Sequence, residues 1–238
     1  MTQKSSLVVD LRNKSSFDAT KFLGTAVVIL FLLHCCGFLA DKFLGGEHFI
    51  SRQLVKLFWL DREYNIPSWF SSCLLWSCGI ALLIIAVFVQ PDKGRFSRHW
   101  FILGMVFLLI SMDEAVAIHE WMIAPVRELL GVSGIFYFAW TIPVMIILVL
   151  GGLAYIPFLR SLPRNLSRLF IISAILFVSG AIGMEMLGGA AVSGELERSV
   201  YQIVMPIEEL LEMSGVVLFM HGLIAVIVSK QTSSAAAR

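Results

Sequence analysis

The sequence is poor in charged residues, and its long apolar runs contain no Lys or Arg. Only 15% of the 238 residues are charged and 58% are hydrophobic, whereas about a quarter of a typical soluble domain is charged. A nucleic-acid-binding surface would require Lys and Arg clustered on one face, and no such cluster is present, so we expect no nucleic-acid partner. The composition instead favours a protein whose main partner is the lipid bilayer.

Cysteine is also scarce, with four residues and no Cys-x-x-Cys pair. All four lie in apolar runs, where a free cysteine behaves as a small apolar residue that fills space. A disulfide between the first two predicted helices stays open as the alternative. The four residues are Cys35, Cys36, Cys73 and Cys78.

Six long apolar runs predict six transmembrane helices, since a helix needs about 20 residues to cross the hydrocarbon. The strands of a membrane barrel would alternate apolar and polar residues, and these runs do not. The predicted fold class is therefore an all-α polytopic membrane protein. We expect a polar tail over 1–21, a membrane domain over 22–228 and a tail over 229–238. The predicted helices cover about 22–40, 67–90, 100–123, 134–158, 169–190 and 202–228, with an outer loop over 41–66.

The distribution of positive residues predicts the orientation. When the segments between the runs are assigned alternately to two sides, 12 of the 18 Lys and Arg residues fall on the side of the termini. Short cytoplasmic segments carry the excess of Lys and Arg, so both termini are predicted to be cytoplasmic. An even number of spans also requires both termini on one side.

The acidic residues inside the runs are the main functional signal. Seven of the 17 Asp and Glu residues lie there, and each costs about 2.5–3.5 kcal/mol if ionised at the bilayer centre. With a rise of about 1.5 Å per residue, the acids of the third, fifth and sixth helices fall at one outer depth. The pattern predicts an outward-facing carboxylate cluster of Asp113, Glu114, Glu120, Glu185, Glu208, Glu209 and Glu212.

Helical spacing refines the prediction for the third helix. At about 100° per residue, Asp113, Glu114 and Glu120 share one face, centred on the small Ala117. In a regular helix His119 points away from that face. It could join the cluster only if the helix is locally irregular.

Two further residues are accessory candidates. His34 lies at a matching depth on the first helix, and a core histidine with satisfied hydrogen bonds is the alternative interpretation. Ser111, two residues before Asp113, is a weak candidate nucleophile.

Many carboxylates with one or two histidines in a helical bundle are typical of mono- or dinuclear metal sites. Hard oxygen ligands favour iron, manganese or magnesium, whereas zinc sites favour His or Cys. The usual Glu-x-x-His pair of such bundles is absent. A divalent metal here would activate water or oxygen, with a lipid or isoprenoid-linked substrate. The predicted ligands are Asp113, Glu114, His119, Glu120, Glu185, Glu208, Glu209 and Glu212.

Two other classes of function stay open. Intramembrane acids also carry protons or bind cations in secondary transporters, so a small proton- or cation-coupled transporter is one alternative. Six spans are few for a transporter, and this alternative would favour a homodimer. A non-catalytic membrane subunit or assembly factor is the other alternative.

Four motifs resemble the pattern of a bacterial multi-pass membrane family that has no established activity. They are Asp61-x-Glu63-x-Asn65-Ile66-Pro67, Ser111-x-Asp113-Glu114-x-x-x-x-His119-Glu120, Gly183-x-Glu185-Met186 and Glu208-Glu209-x-x-Glu212-Met213. The resemblance implies a bacterial inner membrane and adds Glu63 and Asn65 to the accessory candidates. The pattern is also loosely similar to intramembrane metal hydrolases of the ceramidase type. Those enzymes place several histidines at the metal, and this chain lacks them.

Overall fold

The computed structural model describes residues 9–89 and 96–236, with side chains described up to residue 231. Parts of both predicted tails, the last residue of the second predicted helix (90) and residues 91–95 of the connection that follows it lie outside these described residues. Every described secondary-structure element is a helix, and six helices are long and apolar enough to cross a membrane. The predicted all-α fold with six membrane-spanning helices is therefore confirmed.

Nine α-helices form the described chain, and three of them continue into or out of π-helical turns. They are α1 (Lys14–Leu44), α2 (Phe49–Phe58), α3 (Ile66–Ile84), α4 (Ser97–Val116), α5 (Ile118–Leu130), α6 (Thr141–Ser161), α7 (Arg164–Val178), α8 (Glu185–Val192) and α9 (Arg198–Ala236). The π-turn Ile85–Val89 extends α3, the π-turn Ser179–Met184 joins α7 to α8, and a short 3-10 turn covers Gly134–Phe136.

Several boundaries differ from those predicted. Helix α1 begins inside the predicted polar tail, because Asn13 caps it by accepting the Ser16 N–H at 2.9 Å. The predicted outer loop contains the whole of α2, and α9 continues to Ala236 in the predicted C-terminal tail. The third predicted span is divided between α4 and α5, and α6 begins at Thr141 rather than at 134.

Helix α9 lies at the centre of the bundle and packs against α1, α3, α7 and α8. Its Met213, Leu223 and Val226 are fully buried. A Cβ at Gly215 would lie 2.8 Å from the backbone N of Phe177, so the absence of a side chain allows α7 and α9 to approach closely. This close approach fixes the depth at which the acids of α9 meet the other helices.

The bundle has two ends with different connections. At the loop end lie the connections 45–65, 117–140 and 193–197, and at the terminal end lie the start of α1, the end of α9 and the connection 162–163. Helices α2 and α5 belong to the loop end and are too short to span. Helix α5 has no buried residue, and its Trp121 and Leu129 are 71% and 83% exposed. These features are typical of helices that lie in the membrane interface.

Candidate metal centre at the loop end

The break between α4 and α5 builds the centre of the site. Ala117 adopts a left-handed conformation with φ 53° and is 1% exposed, and its N–H donates to the carbonyl of Asp113 at 2.7 Å. A left-handed non-glycine residue is uncommon and strained, and such residues concentrate at functional sites. The break redirects the chain, so the predicted helical angle of His119 does not apply.

The break brings His119 onto Asp113. The Asp113 carboxylate accepts the backbone N–H of His119 at 2.8 Å through Oδ1, and its Oδ2 lies 2.9 Å from Nδ1 of the imidazole. Asp113 therefore caps the start of α5 and orients the ring with the same side chain. This contact is the one ion pair within 4.0 Å among the described residues. The sequence analysis required a locally irregular helix for His119 to join the cluster, and the left-handed Ala117 supplies that irregularity.

A second strained turn carries the acids of the 59–65 segment. Tyr64 also has a positive φ of 62°, and its hydroxyl donates to the carbonyl of Val116 at 3.3 Å, directly beside the break. Asn65 caps α3 by accepting the Ser68 N–H at 3.1 Å and donates to the carbonyl of Trp59 at 2.6 Å. The two irregular turns thus hold each other in place.

These turns bring three ligand atoms together. Glu63, His119 and Glu120 each offer one such atom, and all three lie within 4.8 Å of one another. Glu63 is additionally held by Ser68, whose hydroxyl donates to Oε2 at 3.2 Å. No other group of three His, Cys, Asp or Glu residues in 9–89 and 96–236 meets this spacing. The structure therefore concentrates the candidate site on one histidine and two carboxylates.

The electrostatics of these loop residues reflect burial together with a surplus of acids. Burial raises the pKa of Glu63, and the charges of Glu120 and Asp113 raise it further against the opposing effect of His119. Burial lowers the pKa of His119, but the hydrogen bond and charge of Asp113 outweigh it, so the net shift is upward. Burial raises the pKa of Asp61 to about 6, opposed by a hydrogen bond from Tyr201 and reinforced by Glu120. A bound cation would offset the repulsion in this region.

The fifth predicted span contributes Glu185 at the first residue of α8. Glu185 is buried, and the indole Nε1 of Trp140 donates to its Oε1 at 2.9 Å. The same indole lies against the ring of His119, with centroids 5.0 Å apart. Trp140 thus joins Glu185 to the His119 group. The π-turn before Glu185 is a feature frequently found at functional sites.

The acids of α9 extend the site into the membrane-spanning part of the bundle. A Cβ at Gly180 would lie 2.8 Å from the carbonyl oxygen of Glu208, so the π-turn packs directly on α9 at this level. Glu208 interacts electrostatically with Glu114 and Glu185, as does Glu212. The Oε2 of Glu208 is buried and has no hydrogen-bond partner in the described part of the chain. A buried carboxylate oxygen without a partner is costly and requires a proton, water or a cation.

Not every candidate belongs to the ligand group. Ser111 and Ser72 join α4 to α3, because each hydroxyl donates to the other residue's carbonyl at 2.8 Å. His34 accepts the Leu60 N–H at 3.2 Å and therefore anchors the turn that carries Asp61 and Glu63. The accessory role of His34 stays a prediction. Six other acids stay predicted metal ligands: Asp113, Glu114, Glu185, Glu208, Glu209 and Glu212.

The sequence analysis did not identify three residues that hold the site together: Asp61, Tyr201 and Trp140. Asp61 accepts a hydrogen bond at 3.1 Å from the hydroxyl of Tyr201, which connects the 59–65 turn to α9. Trp140 connects His119 with Glu185, as described above. Asp61 was already present in the first motif, whereas a lone aromatic residue in a loop carries no signal of its contacts.

The chain matches a family over residues 22–227, which is nearly the whole membrane domain. It belongs to the family described as a domain of unknown function, DUF8692. This confirms the expectation of a family without an established activity. The chain has no match among curated proteins or among solved structures.

Proposed function

We propose that this membrane protein binds a divalent metal ion through Glu63, His119 and Glu120. The observation that carries the proposal is the convergence of these three ligand atoms within 4.8 Å. They come from two separate strained turns, at Tyr64 and Ala117, which hold each other through the bond from Tyr64 to Val116. Strain of this kind persists only where the surrounding structure over-determines it.

The bond to Asp113 supports this role for His119. Metal-binding histidines commonly donate their other ring N–H to a carboxylate, which fixes the tautomer and raises the basicity of the ligand atom. Asp113 occupies that position at Nδ1, so Nε2 is the ring nitrogen that would bind the metal in this proposal. Asp113 thus acts in this proposal as the orienting carboxylate rather than as a direct ligand.

The donor set favours a hard cation. Two carboxylates and one imidazole suit manganese, iron or magnesium better than zinc, whose structural sites favour sulfur and additional nitrogen ligands. Glu120 is exposed and His119 and Glu63 are half-buried, so positions on the metal remain accessible to water or substrate. Such a metal can lower the pKa of bound water or polarise a bound oxygen. By the positive-inside rule the site would face the outer side.

Metal content measured by mass spectrometry tests the proposal directly. We expect stoichiometric metal in the full-length purified protein and its loss in His119→Ala and Glu63→Gln. Glu128→Gln is the matched control, because Glu128 is an exposed acid of the same helix α5. Retention of metal by both ligand variants, or absence of metal from wild type grown with added manganese, iron or magnesium, would contradict the proposal.

A second function, cation- or proton-coupled transport, is favoured by one specific observation. The unpartnered Oε2 of Glu208 lies on α9, in the membrane-spanning part of the bundle, and Glu208 is not among the three residues of the ligand group. Carboxylates at such positions form relays in transporters. Proteoliposomes should then show pH- or cation-driven flux that Glu208→Gln abolishes and Glu128→Gln does not. Equal flux in liposomes with and without protein would exclude this function.

A further inference from the structure

A cavity lies at the terminal end of the bundle, between the end of the second span and the start of the third. Its volume is about 390 Å³, and ligand pockets in proteins are typically about 300–1,000 Å³. One wall is the π-turn that extends α3, and the other is the first two turns of α4. The lining residues are Ala86 and Val87 of the π-turn and Ser97, Arg98, Phe101 and Ile102 of α4. We call this space the Arg98 cavity.

The two walls of the Arg98 cavity are fixed to each other and open towards the membrane. The hydroxyl of Ser97 donates to the carbonyl of Ala86 at 3.2 Å, which joins α4 to the π-turn. Trp100, on the opposite side of α4, is 1% exposed and anchors this wall in the core. Val87 and Ile102 are each 53% exposed, although both belong to membrane-spanning helices. The cavity is therefore reached from the lipid.

Polar and apolar groups line the Arg98 cavity at different depths. Ser97 and Arg98 are the first two residues of a membrane-spanning helix, so they lie at the level of the lipid headgroups. Phe101 and Ile102 follow Arg98 by three and four residues, which places them about 5–6 Å deeper at about 1.5 Å per residue. A phospholipid has the same order, with its phosphate at the headgroup level and its first acyl carbons below.

The charge of the lining selects among lipids. Arg98 is the one charged residue that lines the cavity, and it forms no ion pair within the described part of the chain. A guanidinium binds phosphate oxygens through two parallel hydrogen bonds. In a zwitterionic lipid the phosphate already has an ammonium group of its own, whereas in an anionic lipid its charge is free to pair with Arg98. The predicted cytoplasmic orientation of this end places it in the leaflet that is rich in anionic lipids.

We infer that the Arg98 cavity binds an anionic phospholipid, with the phosphate on Arg98 and the first acyl carbons against Phe101 and Ile102. This differs from the contact that any spanning helix makes with bulk lipid, because the headgroup charge decides which lipid occupies the cavity. The site lies at the opposite end of α4 from the candidate metal centre and does not depend on the proposed function.

Photolabelling with two lipids tests the inference. The probes are phosphatidylglycerol and phosphatidylcholine with the same diazirine next to the glycerol, each at one mole fraction in phosphatidylcholine vesicles that contain the full-length protein. In wild type, Phe101 should take about fivefold more label from the anionic probe, the effect expected for one basic residue at the membrane surface. Leu153 and Ile156, exposed residues of α6 at the same end, should take equal label from both probes. A preference at Phe101 no greater than at Leu153 would overturn the inference.

Two arginines separate the cavity from the general charge of the surface. Arg98→Gln should remove the preference for the anionic probe at Phe101, and Arg98→Lys should keep most of it because the positive charge remains. Arg164→Gln is the matched control, since Arg164 is the exposed first residue of α7 at the same end and does not line the cavity. If Arg98→Gln and Arg164→Gln lowered the preference equally, surface charge alone would explain it and the site would be refuted.

Two substitutions on one face of α4 test the space itself. Ile102→Trp narrows the cavity and should lower the preference at Phe101. Leu109→Trp, seven residues further along the same face, exposed and outside the lining, should leave the preference unchanged. An equal preference in these two variants would show that the cavity holds no lipid. Displacement of the anionic label by inorganic phosphate would assign the cavity to a free anion and would also contradict the inference.

Discussion

The two ends of the bundle use histidine in opposite ways. At the terminal end, His221 Nδ1 lies 2.8 Å from the Thr20 hydroxyl and Nε2 lies 2.9 Å from the carbonyl of Leu11. Both ring nitrogens are therefore occupied by protein groups. At the loop end, His119 has one nitrogen on Asp113, and one of its ring nitrogens lies within 4.8 Å of carboxylate oxygens of Glu63 and Glu120. A histidine with both ring nitrogens hydrogen-bonded to protein groups holds segments of the chain together. A histidine with only one hydrogen-bonded nitrogen, beside carboxylates, is suited to bind a ligand.

The largest expected effect on stability comes from disrupting the close contact between Gly180 and α9. Gly180→Ala places a Cβ 2.8 Å from the carbonyl oxygen of Glu208 and from Cγ of Glu212. Overpacking of this kind typically costs about 1–3 kcal/mol, so we expect a lower thermal midpoint and weaker metal binding. Gly183→Ala in the same π-turn is the control, because its Cβ would meet nothing within 4 Å among described residues. Equal midpoints in the two variants would show that the close approach is unimportant.

The next effect isolates the orienting role of Asp113. Asp113→Asn keeps the size of the side chain but removes the charge that holds His119, and loss of such an orienting partner typically lowers metal affinity about 10–100-fold. Titration of the metal-free protein with Mn²⁺ measures this change. Asp18→Asn, at an exposed acid of α1, should bind as wild type does. An unchanged affinity in Asp113→Asn would argue that His119 is not a ligand.

A smaller effect concerns the pH dependence of the loop end. Burial raises the pKa of Asp61 from 3.8 to about 6, so the folded state holds this proton more tightly than the unfolded state. Its stabilising contribution is present below pH 4 and is lost as the pH rises through about 6. Asp61→Asn should therefore gain stability over wild type at pH 8 but not at pH 4.

The gain should be on the order of 1 kcal/mol, since this partly exposed carboxyl retains some hydration. Thermal unfolding of metal-free protein at the two pH values measures it. Asp18→Asn again serves as the control and should show the same difference from wild type at both. A gain in Asp61→Asn that does not depend on pH would assign the effect to packing rather than to charge.

The sequence predicts the membrane-spanning helices of this protein, but it does not predict the turns that form the site. The spans follow from apolar run length, which is a direct requirement of the hydrocarbon, and all six are present. The convergence of acids from α4, α8 and α9 at one end also follows, because depth depends only on rise per residue. The role of His119 could not be predicted from a regular helix. The left-handed Ala117 that redirects it is stabilised by tertiary contacts, and alanine has no intrinsic preference for that conformation.

The two motifs that form the ligand group show the same limit. Glu63 and Glu120 lie 57 positions apart in the sequence, and the two turns that carry them are joined by the bond from Tyr64 to the carbonyl of Val116. Because every residue has a backbone carbonyl, the acceptor of such a hydrogen bond cannot be identified from the sequence. Helical spacing placed Glu120 with Asp113 on one face, but the structure pairs it with Glu63 across two turns.

The smallest expected effect on metal, and the most direct comparison of the two ends, comes from His221→Ala beside His119→Ala. Removing His221 breaks two hydrogen bonds that fasten the segment around Leu11 and Thr20 to α9, each worth about 1 kcal/mol. The thermal midpoint should fall while metal content stays at the wild-type value. His119→Ala should bind no metal when Mn²⁺ is added, and in metal-free protein its midpoint should fall by less than that of His221→Ala, because it breaks one side-chain hydrogen bond, to Asp113, rather than two. If His221→Ala also lost metal, the two ends would be coupled through α9. The contrast between a structural role for His221 and a metal-binding role for His119 would then be wrong.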